Sequence, residues 1–493
     1  MTLLNWAALT PEIFLLVAAC TIAIVDLFID DDRRHYTHWM SQAALAVCAV
    51  LHFQQFDAGL TLYALGHMVV MDPMGRLLGV FATLAMMVTL TYAQPYIATR
   101  AMHKGEFYVL ALLSLLGIHV MLSANDFLVV YLGLEVMSLA LYALVALRRD
   151  DATATEAAMK YFVLGALASG FLLYGLSMMY GATGTLEIPK VFEVIAQGRV
   201  NGQVLVFGVV FIVAGLGFKL GVAPFHMWVP DVYQGSPTAV TLLIASAPKF
   251  AAFAITIRLL VEGLLKVAAD WQQMLLFMAV VSLVVGNLAA IAQTNLKRML
   301  AYSAIAQVGF MLLALGSGVI DGNTVPAGNA YSSAMFYMVT YVLTTLGSFG
   351  LVMLLARDGF ESEEVADLAG LARRRPWMAA VMAVFMFSLA GIPPTMGFYA
   401  KLAVLQTLVT TGQSFYIALA VGAVLLSLVG AFYYLRVVKV MYFDEPARGP
   451  IDQPFGAAGI LLMANGAAVL IFGLLPGGLM ALCRDALVRA LST

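Results

Sequence analysis

Apolar positions in this chain run on for about twenty residues at a time, broken by short polar clusters, with no sustained alternation. A bilayer core about 30 Å thick needs roughly 20 apolar residues per helix. Fourteen such runs are read, at 10–29, 41–58, 74–96, 106–122, 126–147, 157–180, 204–228, 238–262, 272–293, 299–317, 332–356, 377–412 (broken through Pro393-Pro394), 415–441 and 455–482. Continuous runs exclude an outer-membrane barrel, whose strands alternate over about ten residues. Met1–Pro11 has no basic start, and no small-residue cleavage site follows, so the first run is expected to stay in the protein. The pattern predicts an all-α polytopic membrane protein with about 14 transmembrane helices.

Composition agrees and removes the alternatives. Of 493 residues 62% are hydrophobic and 11% charged, against about 45–50% and about 25% in a soluble protein. Soluble enzymes, disordered chains and nucleic-acid binders are thereby excluded. Cys20, Cys48 and Cys483 lie far apart without a CxxC pair, so neither a disulfide framework nor a cysteine metal site is expected.

Loop charge sets the orientation, because Lys and Arg collect on the inner side. With the N-terminus outside, inner loops hold Arg33, Arg34, Arg100, Lys104, Arg148, Arg149, Lys297, Arg298, Arg357, Arg373 to Arg375, Arg436, Lys439 and Arg448. The outer side holds Lys190, Arg199, Arg258, Lys266, Arg484 and Arg489, a ratio of fifteen to six that places both termini outside. Arg76, Lys160, Lys219, Lys249 and Lys401 remain, within or at the edge of apolar runs.

No linker divides the chain, and the most polar stretch, Arg357 to Pro376, is expected to carry a short surface helix at Ser362–Arg374. A faint echo recurs at an offset near 170: Asn125 and Asn295, Gly221-Val-Ala-Pro224 and Gly391-Ile-Pro-Pro394, Ala158-Met159 and Ala334-Met335. Five spans separate each pair, so the copies would be inverted, with interrupted helices in matching places, as in transporters. The chain divides accordingly into N-terminal helices at 1–122, a first repeat at 123–293, a second at 294–442 and a C-terminal helix at 443–493.

Intramembrane charge costs about 2.5–3.5 kcal/mol on insertion scales, so each instance needs a reason. Glu135 lies mid-way along the fifth run; a packing role competes with that of a proton carrier. Lys219 lies five residues before Pro224, which withdraws the N–H owed to the Leu220 carbonyl and breaks the helix nearby. A desolvated lysine gives up its proton more readily and a nearby carboxylate restores the affinity, so such a pair is a switchable proton site. Lys249 follows Pro248 near the centre of the eighth run, where a helix–helix hydrogen bond at a kink competes with a proton site, and Lys401 follows the Pro393-Pro394 break by seven residues, where it marks the outer exit of a path or caps a broken half-helix. Lys160 stands i,i+4 from Glu156, a pairing worth about 0.2–0.5 kcal/mol on any helix, which competes with a functional role. His226, just past Pro224, is equally a relay or a satisfied hydrogen-bonding residue; Asp72 with Arg76 reads as structural, and His119, late in the fourth run, as packing. No GxGxxG after a strand, Walker loop, CxxCH or cysteine cluster occurs, so no nucleotide or redox centre is expected in this chain.

Glu135, Lys219 and Lys249, with Lys401 on a second Pro-broken span, resemble the antiporter-like subunits of proton-pumping NADH:quinone oxidoreductase, respiratory complex I. The multisubunit sodium/proton antiporters share that superfamily. The most specific pieces are GFKLGVAPFHMWVPDVYQGSPT (217–238) and SLAGIPPTMGFYAKL (388–402). The chain ends soon after the last run, without the long lateral helix of the L type, and offers Lys401 where the M type places a glutamate. It is therefore similar to the N type.

The resemblance implies a hydrated line from Glu135 through Lys219 and Lys249 to Lys401, fed by His226 and Lys160, with Glu135–Lys219 pairing altered by quinone reduction elsewhere. It further implies FMN, iron–sulfur clusters and a quinone in other subunits. The implied partners are other membrane-arm subunits, the M type among them, and the lipid bilayer, with no nucleic acid. The implied location is a bacterial inner membrane. A sodium/proton antiporter subunit shares the same residues and stands as the alternative. An inert spacer, the rival from another class, predicts that Lys249→Met leaves pumping intact.

Overall fold

The computed structural model describes residues 5–30, 33–100, 102–198, 200–357, 360–446 and 456–492. Residues 1–4 and 455, and the loop cations Arg199 and Arg448, lie outside them.

After a 3-10 turn at Trp6–Leu9, α1 (Thr10–Asp26) and α2 (His35–Ala58) lead to a small antiparallel hairpin, β1 (Leu62–Ala64) and β2 (Val69–Met71). Then come α3 (Pro73–Ala98), α4 (Gly105–Leu122), α5 (Phe127–Val145), α6 (Ala152–Thr183) and the short α7 (Ile188–Ala196). The interrupted pair α8 (Gly202–Leu220) and α9 (Trp228–Gly235) precedes α10 (Thr238–Ala245) and α11 (Ala247–Thr256), which continues as a π-helix over Ile257–Gly263. The chain goes on through α12 (Ala268–Ile291), α13 (Leu296–Leu315), α14 (Ala327–Leu355) and α15 (Leu371–Arg374). A second interrupted pair, α16 (Pro376–Ala390) and α17 (Met396–Val409), precedes α18 (Ser414–Phe443), α19 (Ala457–Leu474) and α20 (Gly477–Leu491). Asp72, Asp126, Asp151, Asn201 and Asn295 start their helices by accepting first-turn N–H groups, which satisfies donors that have no partner within the helix.

Among the described residues twelve helical segments are long and apolar enough to cross a membrane. The expected run at 41–58 folds as α2, whose His35, His38, His52, Gln54 and Gln55 keep it out of that set. The pair α16 and α17 fills the broken run expected at 377–412 as two shorter apolar helices. The last run, expected to reach 482, ends at Leu474; Pro476 then starts α20, which packs on α14 and α3. The surface helix expected over Ser362–Arg374 is broken in two, a 3-10 turn at Val365–Leu368 and α15, because Gly370 takes φ +62° between them.

Burial grades the helices. The most apolar stretch of the Thr238–Gly263 segment is wholly buried, whereas only 22% of that of α18 is, so Lys249, itself buried, lies deep inside the protein and α18 at its rim.

The echo near 170 residues has a structural counterpart. Phe127 N–H donates to Leu186 O and Ile188 N–H to Asn125 O, both at 3.0 Å, where α5 begins. Where α13 begins, Leu296 N–H donates to Glu363 O at 2.6 Å and Val365 N–H to Thr294 O at 2.9 Å. The same two-bond bridge thus ties each helix start to the segment just beyond its second following turn.

Two charges are displaced from their expected places. Arg258, counted as an outer-loop cation, is 1% exposed: it pairs with Asp72 at 2.9 Å and donates to Leu122 O at 2.6 Å. Asp72 and Arg76 are therefore not partners, and Arg76 pairs instead with Glu12 at 2.8 Å. Spacing along a helix identifies neighbours on that helix only, and here α1 and the π-segment supply closer ones. Lys297, counted in an inner loop, is also buried, on Glu363 and on Ser236 O.

Candidate functional site

Both interrupted helices end in the same way. At Gly221 (φ +76°) the Val222 N–H reaches back to Gly217 O and the Gly221 N–H to Phe218 O; at Gly391 (φ +84°) Ile392 reaches Phe387 O and Gly391 reaches Ser388 O. These are Schellman turns, which need a left-handed residue and favour glycine. Glycine, then, ends each helix, and Pro224 and Pro393-Pro394 keep it from resuming. The X-Pro bonds Ala223-Pro224 and Pro393-Pro394 are both cis.

A Schellman turn satisfies two of the last carbonyls and leaves the following two without partners. In the second break those are Leu389 O and Ala390 O, and Lys401 Nζ donates to both at 2.9 Å, with Ser427 Oγ as its third acceptor at 2.8 Å. In the first break Lys249 Nζ donates to Leu220 O at 2.8 Å. Each buried ammonium thus rests on helix-end carbonyls, which carry partial negative charge.

Lys249 owes its position to a full interruption of the helix where the sequence suggests a kink. The eighth run is interrupted at Ser246 (φ −112°, ψ −97°), and Pro248 and Lys249 open the first turn of α11. That turn aims the side chain at the end of α8, with Nζ 5.9 Å from the Trp228 ring centre.

Lys219 donates to Ser138 Oγ on α5 at 2.9 Å. Ser138 lies three residues, or one turn, beyond Glu135, and no ion pair within 4.0 Å joins Glu135 to Lys219; Glu135 Oε1 is buried without a hydrogen-bond partner. The expected acid–lysine pair is therefore apart in this structure. Lys219 and Lys249 line one cavity of about 20 Å³ with Met121, Met137, Tyr161 and Trp228, room for a single water molecule.

The second break opens into a polar cluster that sequence reasoning missed. Gln307 on α13 donates to Leu389 O at 2.9 Å, sharing that acceptor with Lys401, and to Tyr434 Oη at 3.0 Å. Tyr337 donates to Gln307 Oε1, and Ser303 bonds Tyr434. Gln307 in an otherwise apolar run was the available signal. Among the described residues no hydrogen bond joins this cluster to the Lys219–Lys249 cavity.

The two expected feeders sit elsewhere. Lys160 forms ion pairs of 2.8 Å with both Glu156 and Asp231, and Arg298 pairs with Asp231 at 2.7 Å, a partly exposed network linking α6, α9 and α13. His226 lies in the break between α8 and α9 with its Nδ1 buried and unpartnered. Asp231, unremarked in the sequence, is held below the usual carboxylate range: burial pushes it up, but Lys160 and Arg298 outweigh that.

A separate polar knot ties the loop after α14 to the ends of α3 and α5. Glu361 accepts from Tyr96 at 2.7 Å, Arg100 at 3.0 Å and Arg148 at 2.9 Å. Burial raises its proton affinity, yet the hydrogen bonds from Tyr96 and Arg100 and the guanidinium charge hold it below the ordinary carboxylate range.

Residues 124–427 match the family model described as "NADH:quinone oxidoreductase/Mrp antiporter, TM". The chain is 60% identical to NADH-quinone oxidoreductase subunit N of Polaromonas naphthalenivorans over 488 residues, covering 98% of this chain and 97% of that protein. It superposes on a chain of respiratory complex I from Thermus thermophilus with bound Aureothin at a TM-score of 0.81 and 31% identity, covering 97% of this chain and 100% of that one. A chain of the Mrp complex from Dietzia sp. DQ12-45-1b gives 0.83 at 21% identity, over 100% of this chain and 99% of that one, a likeness of fold alone.

Proposed function

Because this chain belongs to the NADH:quinone oxidoreductase/Mrp antiporter transmembrane family, we propose that Glu135, Lys219, Lys249 and Lys401 carry protons along a buried line. In the same reading His226 and Lys160 feed it. The chain is a membrane-arm subunit, of the N type, of an NADH-quinone oxidoreductase that translocates protons while quinone is reduced elsewhere in the complex. It works with other subunits of that complex; an M-type neighbour, and FMN, iron–sulfur clusters and a quinone in other subunits, complete the proposal. So do a bacterial inner membrane and both termini outside. The loop-charge bias behind that orientation survives removing Arg258 from the outer set and Lys297 from the inner one.

The observation that carries the proton line is the pair of buried lysines resting on helix-end carbonyls, Lys249 on Leu220 and Lys401 on Leu389 and Ala390. A carbonyl accepts from a neutral amine as well as, more strongly, from an ammonium, so neither lysine loses all its partners when its proton leaves. Ser138 beside Lys219 and Ser427 beside Lys401 add hydroxyls that accept from the ammonium and donate to the amine. The water-sized cavity gives Lys219 and Lys249 a common relay point.

Energetics fit one switch per proton. Against about 150–200 mV a proton costs roughly 3.5–4.6 kcal/mol. A change of about 3 pK units in a lysine's affinity supplies roughly 4 kcal/mol. Moving Lys219 between Ser138 and Glu135, one helical turn apart, changes its partner from neutral to charged. We read 123–293 and 294–442 as two inverted copies, each with one interrupted helix, flanked by 1–122 and 443–493.

The test is NADH-driven proton uptake into membrane vesicles, wild type against Lys219→Ala, with assembly followed on native gels. Pumping collapses while the complex stays assembled. Unchanged pumping overturns the proton line. Proton movement driven by an imposed sodium gradient, with none from NADH, returns the antiporter alternative.

A further inference from the structure

The N-terminal helices enclose a second buried cluster that the proton line does not use. Cys48 and His52 stand i,i+4 on α2, and His119 faces them from α4; all three are fully buried. His52 Nε2 lies 3.2 Å from His119 Nδ1, and Cys48 Sγ lies 3.9 Å from that same nitrogen. One ligand atom from each of the three falls within 4.8 Å of the others.

We propose that Cys48, His52 and His119 form a three-coordinate Cu(I) site clipping α2 to α4. Metal–nitrogen bonds of about 2.0–2.1 Å and metal–sulfur bonds of about 2.3 Å place ligand atoms roughly 3.3–3.8 Å apart around a common ion. The two measured separations bracket that range. Thiolate with imidazole is the donor set of soft ions, Cu(I) and zinc foremost.

The surroundings hold the ligands ready. Thr83 Oγ donates to Gly79 O at 2.7 Å, so its lone pair accepts from His119 Nε2 at 3.1 Å, which leaves His119 Nδ1 free to face the ion. That outer hydrogen bond is the usual means of fixing a ligand histidine. Gly79 makes room for His52: a Cβ there would come within 2.5 Å of the ring. When His52 binds through Nε2 its hydrogen moves to Nδ1, and Arg76, whose Nη1 makes only a long contact of 3.5 Å to that nitrogen and is held by Glu12, turns away from it.

Charge selects the ion. Arg76 Nη1 lies 3.5 Å from His52 Nδ1 and is already matched by Glu12 at 2.8 Å. If Cys48 releases its thiol proton and takes up Cu⁺, one positive charge replaces another. A divalent ion would leave an extra charge beside a guanidinium in a low-dielectric interior, where that is costly.

The complex is purified in chelator-free detergent from cells grown with copper and zinc, and its metals are counted against Cys48→Ser, His119→Gln and a Cys20→Ser control. Wild type and the control retain stoichiometric copper, and the two ligand variants lose it by at least the roughly 10–100-fold in affinity that lesser, outer-shell changes cost. X-ray absorption at the copper edge of the wild type shows one sulfur and two nitrogens at low coordination number, a reading independent of how the variants fold. Zinc in place of copper overturns the monovalent assignment. Metal equal in wild type and ligand variants, or copper without a sulfur neighbour, overturns the site.

Discussion

Lys249 reaches across 29 residues of sequence to cap Leu220, its Nζ donating at 2.8 Å to a carbonyl at the end of α8. The second half of the chain solves the same problem with Lys401 on Leu389 and Ala390. A helix interrupted inside a bilayer must satisfy its last carbonyls within the protein, and here the donors that do so are also the groups able to hold a proton. On the proposed reading the break and the proton site are one device.

Lys249→Met separates these two duties. Methionine follows the side chain as far as Cε but donates nothing, so Leu220 O is left unpaired at a cost of about 1–3 kcal/mol. Native gels should show an assembled complex of lowered thermal stability. NADH-driven acidification should fall by about tenfold or more, the equivalent of one pK unit of lost proton affinity. An assembled variant that pumps at the wild-type rate would identify Lys249 as helix glue.

The hydroxyls of Ser138 and Ser427 follow from the same reasoning. Each is a neutral partner for a lysine, Lys219 and Lys401 respectively, at 2.9 and 2.8 Å. Ser138→Ala removes the only hydrogen-bond acceptor seen for Lys219 among the described residues, leaving the ammonium to seek Glu135 one turn away. A hydrogen bond to a charged group is worth about 1.5–3 kcal/mol, so turnover coupled to pumping should slow roughly tenfold or more, while Ser138→Thr, which keeps the hydroxyl, stays near wild type. Ser427→Ala should be milder, because Lys401 keeps two carbonyls. Equal effects of the two alanine variants would contradict the partner count.

Much of this was legible in the residues. Apolar runs located the helices, and Gly-x-x-Pro spacing located both interruptions and the lysines beside them. The offset between Asn125 and Asn295 matched a pair of backbone bridges. What stayed hidden depended on packing between distant segments. Arg258 looked like a loop charge because nothing local reveals that Asp72, far away on the start of α3, lies against it. The interruption at Ser246 has no glycine to mark it. Ser138 and Ser427 resemble any other serine in an apolar helix, and the Cys48, His52 and His119 grouping draws on two helices with no metal-binding spacing between them.

Glu361 gives the protein a pH-dependent joint outside the membrane. Its carboxylate is held below the usual range by Tyr96, Arg100 and Arg148 despite partial burial. A carboxylate depressed in the folded state contributes stability above its unfolded value, about 4.3, and that contribution fades as pH falls through and below that value. Melting temperature of the purified complex should therefore drop more steeply for wild type than for Glu361→Gln between about pH 5 and 3. At neutral pH the variant should melt lower, since Arg100 and Arg148 then share a neutral amide oxygen in place of a carboxylate. Parallel curves for the two proteins would show that Glu361 does not bind the α3 and α5 ends together.

Gly391→Ala tests whether the helix break itself, apart from any charged residue, sets the proton path. Gly391 has φ +84°, which costs an L residue roughly 1–2 kcal/mol. Its added Cβ would also lie 2.8 Å from Lys401 Cδ and 3.3 Å from Nζ. The flexible lysine can give way, but only by leaving Leu389 O and Ala390 O, the carbonyls it caps. Assembly should survive with a modest loss of stability, while pumping falls as far as in Lys401→Ala. Adding Lys401→Ala to Gly391→Ala should then change pumping no further, because both act through one contact. Additive losses in that double mutant would separate the break from the lysine and leave Lys401 working independently of the carbonyls beneath it.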